Sequence, residues 1–327
     1  MAGLFDNMLK GDESLFVNLE CLDYSYNPKL IKFRDSQQFY IAGCIKPLFS
    51  KRDGRNLLIH GSQGIGKTMC CRHVLNELEE KSDEILVVYI NCWIDETAYK
   101  IAESICKQIG HALTVDRNTK ELIDEFTAIL NKKSAVIVFD EFDKLQDCSI
   151  LYNLLEKVYR KCIIMVTNNP SSIQKLEPRI MSRLNLDKIE FKPYNFEETR
   201  GILTTRKEHA FAKNAFDEDA FEAIAKRTFE LKDIRKGLFL LKEAGNLAED
   251  ESSRKIMLKH AEIAIKKASD FKLKALDEEE AKVLELINTN PEKQLKDTYE
   301  LYKKETSKSY KTFQRIVTRL KDARHLK

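Results

Sequence analysis

Short apolar, β-branched runs recur along the first half of the chain at 57–59, 85–90, 136–139, 162–166 and 189–191. Each is brief and almost uniformly apolar, the signature of a strand buried on both faces. The intervening stretches 69–81, 96–109 and 119–130 instead carry apolar positions at helical spacing. Strands alternating with helices predict a parallel sheet covered by helices on both faces. Past Pro193 the strand-like runs stop, and 196–210, 217–227, 231–248 and 252–268 read as helices. Three further helices are expected at 276–286, 294–304 and 309–324, joined by short polar turns at helix-turn-helix spacing. The pattern divides the chain into an α/β base at 1–192, an all-helical unit at 193–269 and a helix-turn-helix unit at 270–327. Several domains are also what 327 residues lead one to expect.

Composition narrows the setting. Charged residues make up 33% and hydrophobic residues 43%, which suits a soluble, helix-rich protein. No apolar run reaches the roughly 18 residues needed to cross a bilayer, and Asp6 stands where a secretory signal would be basic and then apolar. A cytoplasmic, nucleoid-associated protein is expected, with no membrane partner. The eight cysteines all precede position 163 and form no C-x-x-C pair, so buried free thiols are expected rather than a zinc site or a disulfide framework. Net charge is only +3, but residues 291–327 hold eleven Lys and Arg against five Asp and Glu, so the positive charge is concentrated in the tail.

Candidate chemistry begins directly after the first strand-like run. Gly61-Ser62-Gln63-Gly64-Ile65-Gly66-Lys67-Thr68 is a complete G-x-x-x-x-G-K-[ST] phosphate-binding loop, and Met69 continues into the following helix. Its glycines let backbone N–H groups turn around phosphate oxygens at a helix N-terminus. Lys67 then meets the β/γ-phosphates and Thr68 a Mg2+ ion. The third strand ends in Asp140-Glu141, where Asp140 is placed to hold the Mg2+ with Thr68 and Glu141 to polarise an attacking water. Asn168, at the end of the fourth strand, is a candidate γ-phosphate sensor; Asn-Asn-Pro is also an ordinary turn sequence. Arg179 and Arg183 precede the fifth strand, and either could neutralise charge on a neighbouring subunit's γ-phosphate or simply form an ion pair on a solvated helix face. Arg183 is preferred for the first role. Arg235, near the start of a helix in the second unit, could fold onto the nucleotide and couple lid angle to the γ-phosphate.

In the tail, Phe313, Ile316, Val317 and Leu320 recur at helical spacing and should face inward, leaving Lys308, Lys311, Gln314, Arg315 and Arg319 to project. Such a stripe suits DNA phosphates or, equally, the charged face of an ordinary helical bundle.

Together the phosphate loop, the Asp-Glu strand, the Asn-ended strand, the Ser182-Arg183 pair and the Arg235 helix resemble the AAA+ ATPases. Within these the chain is similar to the archaeal origin-recognition and cell-division-control initiator family. The specific features are Asn27-Pro28-Lys29-Leu30-Ile31-Lys32-Phe33-Arg34-Asp35, Asn91-Cys92 followed by Thr97 and Tyr99, and Ile234-Arg235-Lys236 through Ala244-Gly245-Asn246-Leu247-Ala248-Glu249. The resemblance implies ATP/ADP and Mg2+ as cofactors, an adenine pocket bordered by Pro28, Phe33 and Arg34, and sensor roles for Asn168 and Arg235. It also implies a winged-helix DNA-binding domain at the C-terminus, with Lys308, Lys311, Arg315 and Arg319 on double-stranded DNA. Replicative helicase or other initiator subunits would be partners, the protein being a monomer alone or an AAA+ oligomer on DNA. Two departures stand out: Asp35 replaces the family's Glu, and Lys232 occupies the place of a glycine that often precedes the lid Asp. No strand-like run follows Leu320 to form the wing, so backbone-directed, weakly sequence-specific DNA binding is expected. The leading expectation is an ATP-dependent switch in replication initiation. A clamp-loader-like or transposition-helper ATPase and a nucleotide-gated transcriptional regulator are the alternatives.

Overall fold

The computed structural model describes residues 14–24, 26–28, 30–110, 117–274, 278–289, 295–306 and 308–322. All five strand-like runs form strands: β1 (Leu57–Gly61), β2 (Ile85–Asn91), β3 (Ser134–Asp140), β4 (Lys161–Thr167) and β5 (Asp187–Phe191). They make one parallel sheet in the order β2-β3-β4-β1-β5. Alternation along the strands sends side chains to two separate cores. Leu57, Ile59, Val136, Val138, Ile164 and Val166 pack beneath α1 (Asp35–Ile45) and α2 (Lys67–Lys81). Leu58, Val88, Ile90, Ile137, Phe139, Ile163 and Met165 face the opposite way, toward α3 (Ala98–Gln108), α4 (Thr119–Leu130), α5 (Ser149–Lys157) and α6 (Pro178–Leu184). Strand β3, flanked by β2 and β4, is buried at every position, which is why it reads as a continuous apolar run.

The second unit is all helical: α7 (Phe196–Ala210), α8 (Glu218–Leu231), α9 (Ile234–Asp250) and α10 (Leu258–Lys274). Asn195 opens α7 with a reciprocal capping box to Glu198, and Asp233 caps α9 through the Arg235 N–H. Lys232 closes α8 in the left-handed conformation, with φ 51°. The lysine thus adopts the backbone that a glycine would take at this position without steric cost. The N-terminal segment precedes the base in sequence but packs in the lid, where Leu15, Cys21 and Leu22 join its core.

The third unit contains α11 (Glu278–Thr289), α12 (Leu295–Thr306) and α13 (Tyr310–Asp322) around Val283, Leu284, Tyr302, Phe313, Ile316, Val317 and Leu320. The four apolar positions expected to face inward from α13 all do so, while Lys308, Lys311, Gln314 and Arg315 are exposed. Lys308 also forms an ion pair with Glu279. The side chain of Arg319 lies outside the described residues, as do residues 323–327. All eight cysteines are free, and burial pushes the Cys70 and Cys92 thiols up to about 12. No helix among the described residues is long and apolar enough to cross a membrane.

Candidate nucleotide-binding site

The carboxyl ends of parallel strands, where helix N-termini point inward, are the usual ligand edge of an α/β sheet. A cavity of about 360 Å3 lies there, between the base and the lid. The loop 61–66 shapes its floor through positive φ at Gly61, Gly64 and Gly66. All three also allow close approaches: a Cβ on Gly61 would lie 2.4 Å from the Phe191 carbonyl oxygen, one on Gly64 1.9 Å from Asp233 Oδ1, and one on Gly66 3.0 Å from the Tyr194 hydroxyl. The Ile234 N–H donates to the Gly64 carbonyl at 3.0 Å, so the N-terminus of α9 rests directly on the phosphate loop.

Lys67 is buried, and its Nζ donates to the carbonyls of Gly61 (3.0 Å) and Ser62 (2.7 Å) and to Asn168 Oδ1 (2.7 Å). Burial lowers its pKa to about 8, partly offset by the Glu141 and Asp140 carboxylates. The Asn168 amide donates in turn to Glu141 Oε2 at 2.8 Å. One side chain therefore links the loop lysine to the glutamate at the end of β3. Glu141 sits in the left-handed region at φ 52°, held by its N–H to Asp140 Oδ1 at 2.9 Å. Burial, then the neighbouring Asp140 and Asp143, raise its pKa. Thr68 Oγ1 donates to Asp140 Oδ2 at 3.0 Å, and the Tyr89 hydroxyl donates to the same oxygen. Burial and the Asp140 charge keep Tyr89 protonated as that donor. The Arg72 guanidinium stacks 4.5 Å over the Tyr89 ring.

Of the residues expected at the site, Pro28, Gln63, Gly64, Gly66, Lys67, Thr68, Met69, Asp140, Glu141, Asn168 and Arg235 line the cavity. Others stand apart from it. Ser62 serves Lys67 through its carbonyl, and Ile65 is buried in the core below the loop. Phe33 packs on α7, its ring filling the space beside Gly201. Arg34 is buried under the loop, donating to the carbonyls of Ile65 and Lys192 and lying 3.9 Å from the Tyr194 ring centre, so it braces the loop from behind. Arg183 sits on α6 with Glu156 as ion-pair partner and the Tyr152 ring beneath it. It borders a second cavity with Asn56, Lys161 and Asp187, at the opposite ends of the strands. Arg179 pairs with Glu177.

Sequence reasoning missed Tyr24, Arg72, Tyr89, Tyr194, Ile202 and Arg206 at or beside the cavity. Tyr89 carried a usable signal, since it lies two residues before the end of a buried strand and must share a face with Asn91. Arg72 lies one turn beyond Thr68 on the helix that the phosphate loop opens, and the remaining four come from segments with no phosphate-binding motif.

The donors suit a hard divalent cation, since Thr68 and Asp140 present oxygens within hydrogen-bond distance of each other. No group of three or more His, Cys, Asp or Glu is gathered among the described residues.

Comparison with known proteins agrees with this geometry. Residues 51–175 match the AAA domain model and residues 200–266 the Cdc6 AAA+ ATPase-type lid domain. The chain is 32% identical to an ORC1-type DNA replication protein of Methanocorpusculum labreanum, over 80% of this chain and 68% of the relative. It is 30% identical to ORC1-type DNA replication protein 2 of Archaeoglobus fulgidus, over 97% and 87%. In fold it resembles Cdc6p from Pyrobaculum aerophilum, with a TM-score of 0.71 and 18% identity over 95% of this chain and 91% of that one. It likewise resembles the ORC1 protein of Aeropyrum pernix solved in complex with DNA, with a TM-score of 0.70 and 24% identity over 94% and 88%. A phosphate-binding loop under a helical lid, with these relatives across nearly the whole chain, places the protein in the archaeal ORC1/Cdc6-type family of AAA+ ATPase replication initiators.

Proposed function

We propose that the protein is an ATP-dependent DNA-binding switch of replication initiation, in which bound nucleotide sets the angle between base and lid. The observation that carries this reading is the path from Lys67 through Asn168 to Glu141, beneath a lid whose helix α9 rests its first turn on Gly64. Lys67 supplies positive charge to the β/γ-phosphates, and the backbone N–H groups of the loop cradle them. Thr68 and Asp140 would hold a Mg2+ ion, which would supply positive charge against the phosphate oxygens. Glu141, its pKa raised by burial, takes the proton of the attacking water, and Asn168 orients it. Arg235 lines the same cavity from the lid, so ATP and ADP favour different lid positions. Arg183, exposed on α6 away from its own phosphate loop, serves a neighbouring subunit's nucleotide.

On the DNA side, Lys308, Lys311, Arg315 and Arg319 of the C-terminal unit contact phosphates of a double strand, and a replicative helicase or other initiator subunits are recruited there. The ORC1 relative solved with DNA and the basic balance of residues 291–327 support this. A cytoplasmic, nucleoid-associated location follows from the same role.

DNA-binding anisotropy with wild type and Glu141→Gln, in ATP or ADP across a salt series, tests both halves. ATP and ADP should give different affinities, and Glu141→Gln should keep the ATP-type affinity because a glutamine oxygen can still accept from Asn168. Alanine at Lys311 or Arg315 should reduce the salt slope by about one each. Affinity independent of nucleotide would refute the switch, and no binding at low salt would remove DNA as the ligand.

A further inference from the structure

The described residues of 14–34 run from the lid to the base as a strap. Its start is seated on α9, where Glu249 accepts from the Ser14 hydroxyl (2.6 Å) and the Leu15 N–H (2.7 Å). Its end is fixed to the base, where Gln38 Nε2 donates to the Ile31 carbonyl at 3.0 Å. Between these anchors Tyr24, Pro28, Leu30 and Ile31 form one wall of the nucleotide cavity. Two of these four have little packing of their own, since Leu30 is 76% exposed and Tyr24 54%. Something else must hold the wall in shape.

Arg206 of α7 is placed to do so. It is 8% exposed and lines the cavity. Its Nη1 donates to the Cys21 carbonyl at 3.0 Å, its Nη2 donates to the Tyr26 carbonyl at 3.3 Å, and its guanidinium lies 4.8 Å from the Tyr26 ring centre. Among the described residues it has no carboxylate within ion-pair distance. A buried guanidinium without a counter-ion is costly, and a lid that needed only a packed core would be better served by an apolar side chain. What this arginine does that an apolar residue cannot is bind two strap carbonyls at once through a rigid planar fork. These carbonyls bracket Tyr24, so the two bonds set the path of the chain just where it faces the cavity.

We propose that Arg206 is a positioning residue for nucleobase selection: by tying the strap to α7 it fixes the wall that distinguishes adenine from other bases. This rests on the nucleotide reading of the cavity and adds to it a division of labour. The loop 61–68 binds the phosphates, whereas the strap, held by Arg206, binds the base.

Three probes separate these parts: ATP, GTP and inorganic tripolyphosphate, each titrated calorimetrically with wild type, Arg206→Ala, Arg206→Lys and Glu249→Ala. Wild type should prefer ATP over GTP. Arg206→Ala should weaken ATP about tenfold, as expected for losing a charged donor to buried carbonyls, and bring the ATP-to-GTP ratio toward one while leaving tripolyphosphate unchanged. Lysine, with a point charge in place of the fork, should restore the ratio in part. Glu249→Ala, an exposed change far from the phosphate loop, should move the ratio in the same direction by loosening the strap's first anchor. Equal losses of ATP and tripolyphosphate, or an unchanged ratio in Arg206→Ala, would overturn the proposal. Should Arg206→Ala fail to fold, an unchanged ratio in Glu249→Ala would overturn it alone. Wild type that binds tripolyphosphate but treats ATP and GTP alike would also overturn it while sparing the phosphate site, and wild type that binds none of the three would refute the nucleotide reading itself.

Discussion

Replacing Gly245 by alanine sets two effects of known size against each other. Gly245 lies in the interior of α9, and alanine there gains about 1 kcal/mol of helix propensity. Against this, the added Cβ would stand 2.4 Å from Phe16 Cζ and 2.8 Å from Phe211 Cε1. Neither atom is the end of a flexible chain. The two rings pack with centroids 4.7 Å apart, and Phe211 is buried against Phe216 as well. Overpacking two coupled rings costs about 2–3 kcal/mol, so the net destabilisation should be about 1–2 kcal/mol. It should be local, because Phe16 belongs to the N-terminal segment while the rest of the lid core keeps its contacts. Hydrogen exchange reads it directly: the Val17 and Ala212 amides donate to Ala210 and Leu15 carbonyls across that contact. Their exchange should quicken about 5- to 30-fold, with helix α8 little changed. A Phe16→Ala background should remove part of the effect, since one of the two clashing rings is then gone. Exchange at Val17 and Ala212 that is unchanged or slower in Gly245→Ala would refute the reasoning and show that helix propensity wins.

Two other expectations follow from single residues. Because the folded pKa of Lys67 is lowered to about 8 from its ordinary 10.5, the folded chain sheds this proton first. Between those values the unfolded chain binds more protons, so Lys67 makes stability rise with pH in that window; ATP affinity should move oppositely, weakening above pH 8 by up to about tenfold per pH unit. A pH series of ATP titrations checks this, and the same slope persisting in Lys67→Met would assign it to another group. Lys232→Gly should stabilise the lid by up to about 1 kcal/mol, since it relieves a left-handed lysine, although added unfolded-chain entropy offsets part of the gain. Thermal denaturation with a lower midpoint than wild type would show that the Lys232 side chain contributes contacts that outweigh the strain.

The elements that were legible in the chain are those fixed by local pattern. The apolar runs of β1, β3 and β4 became strands because both faces of a covered parallel sheet are dry, whereas edge strand β5 leaves Lys188 and Glu190 exposed and buries only Phe191; α7 matched its expected span because its cap, Asn195 with Glu198, is written within four residues. The phosphate loop was readable for the same reason: its geometry is local, set by glycine conformations and a helix start. Residues 14–22 carried no comparable mark, and Leu15, Cys21 and Leu22 joined the lid core only because the folded chain brings its beginning against α7 and α9.

Only the tertiary structure decided the order β2-β3-β4-β1-β5, because strand neighbours are chosen by packing between segments far apart in the chain. It likewise turned Arg34 from an expected nucleotide contact into a buried brace behind the loop, and it brought Arg206 and Tyr24, 182 positions apart by their numbers, to one cavity. A motif can announce chemistry when backbone geometry alone creates the site, as at 61–68. Where a site is made by one segment holding another, no single stretch contains the information. The sequence by itself therefore determined the loop at 61–68, and the fold decided how the N-terminal segment and α7 close the cavity opposite it.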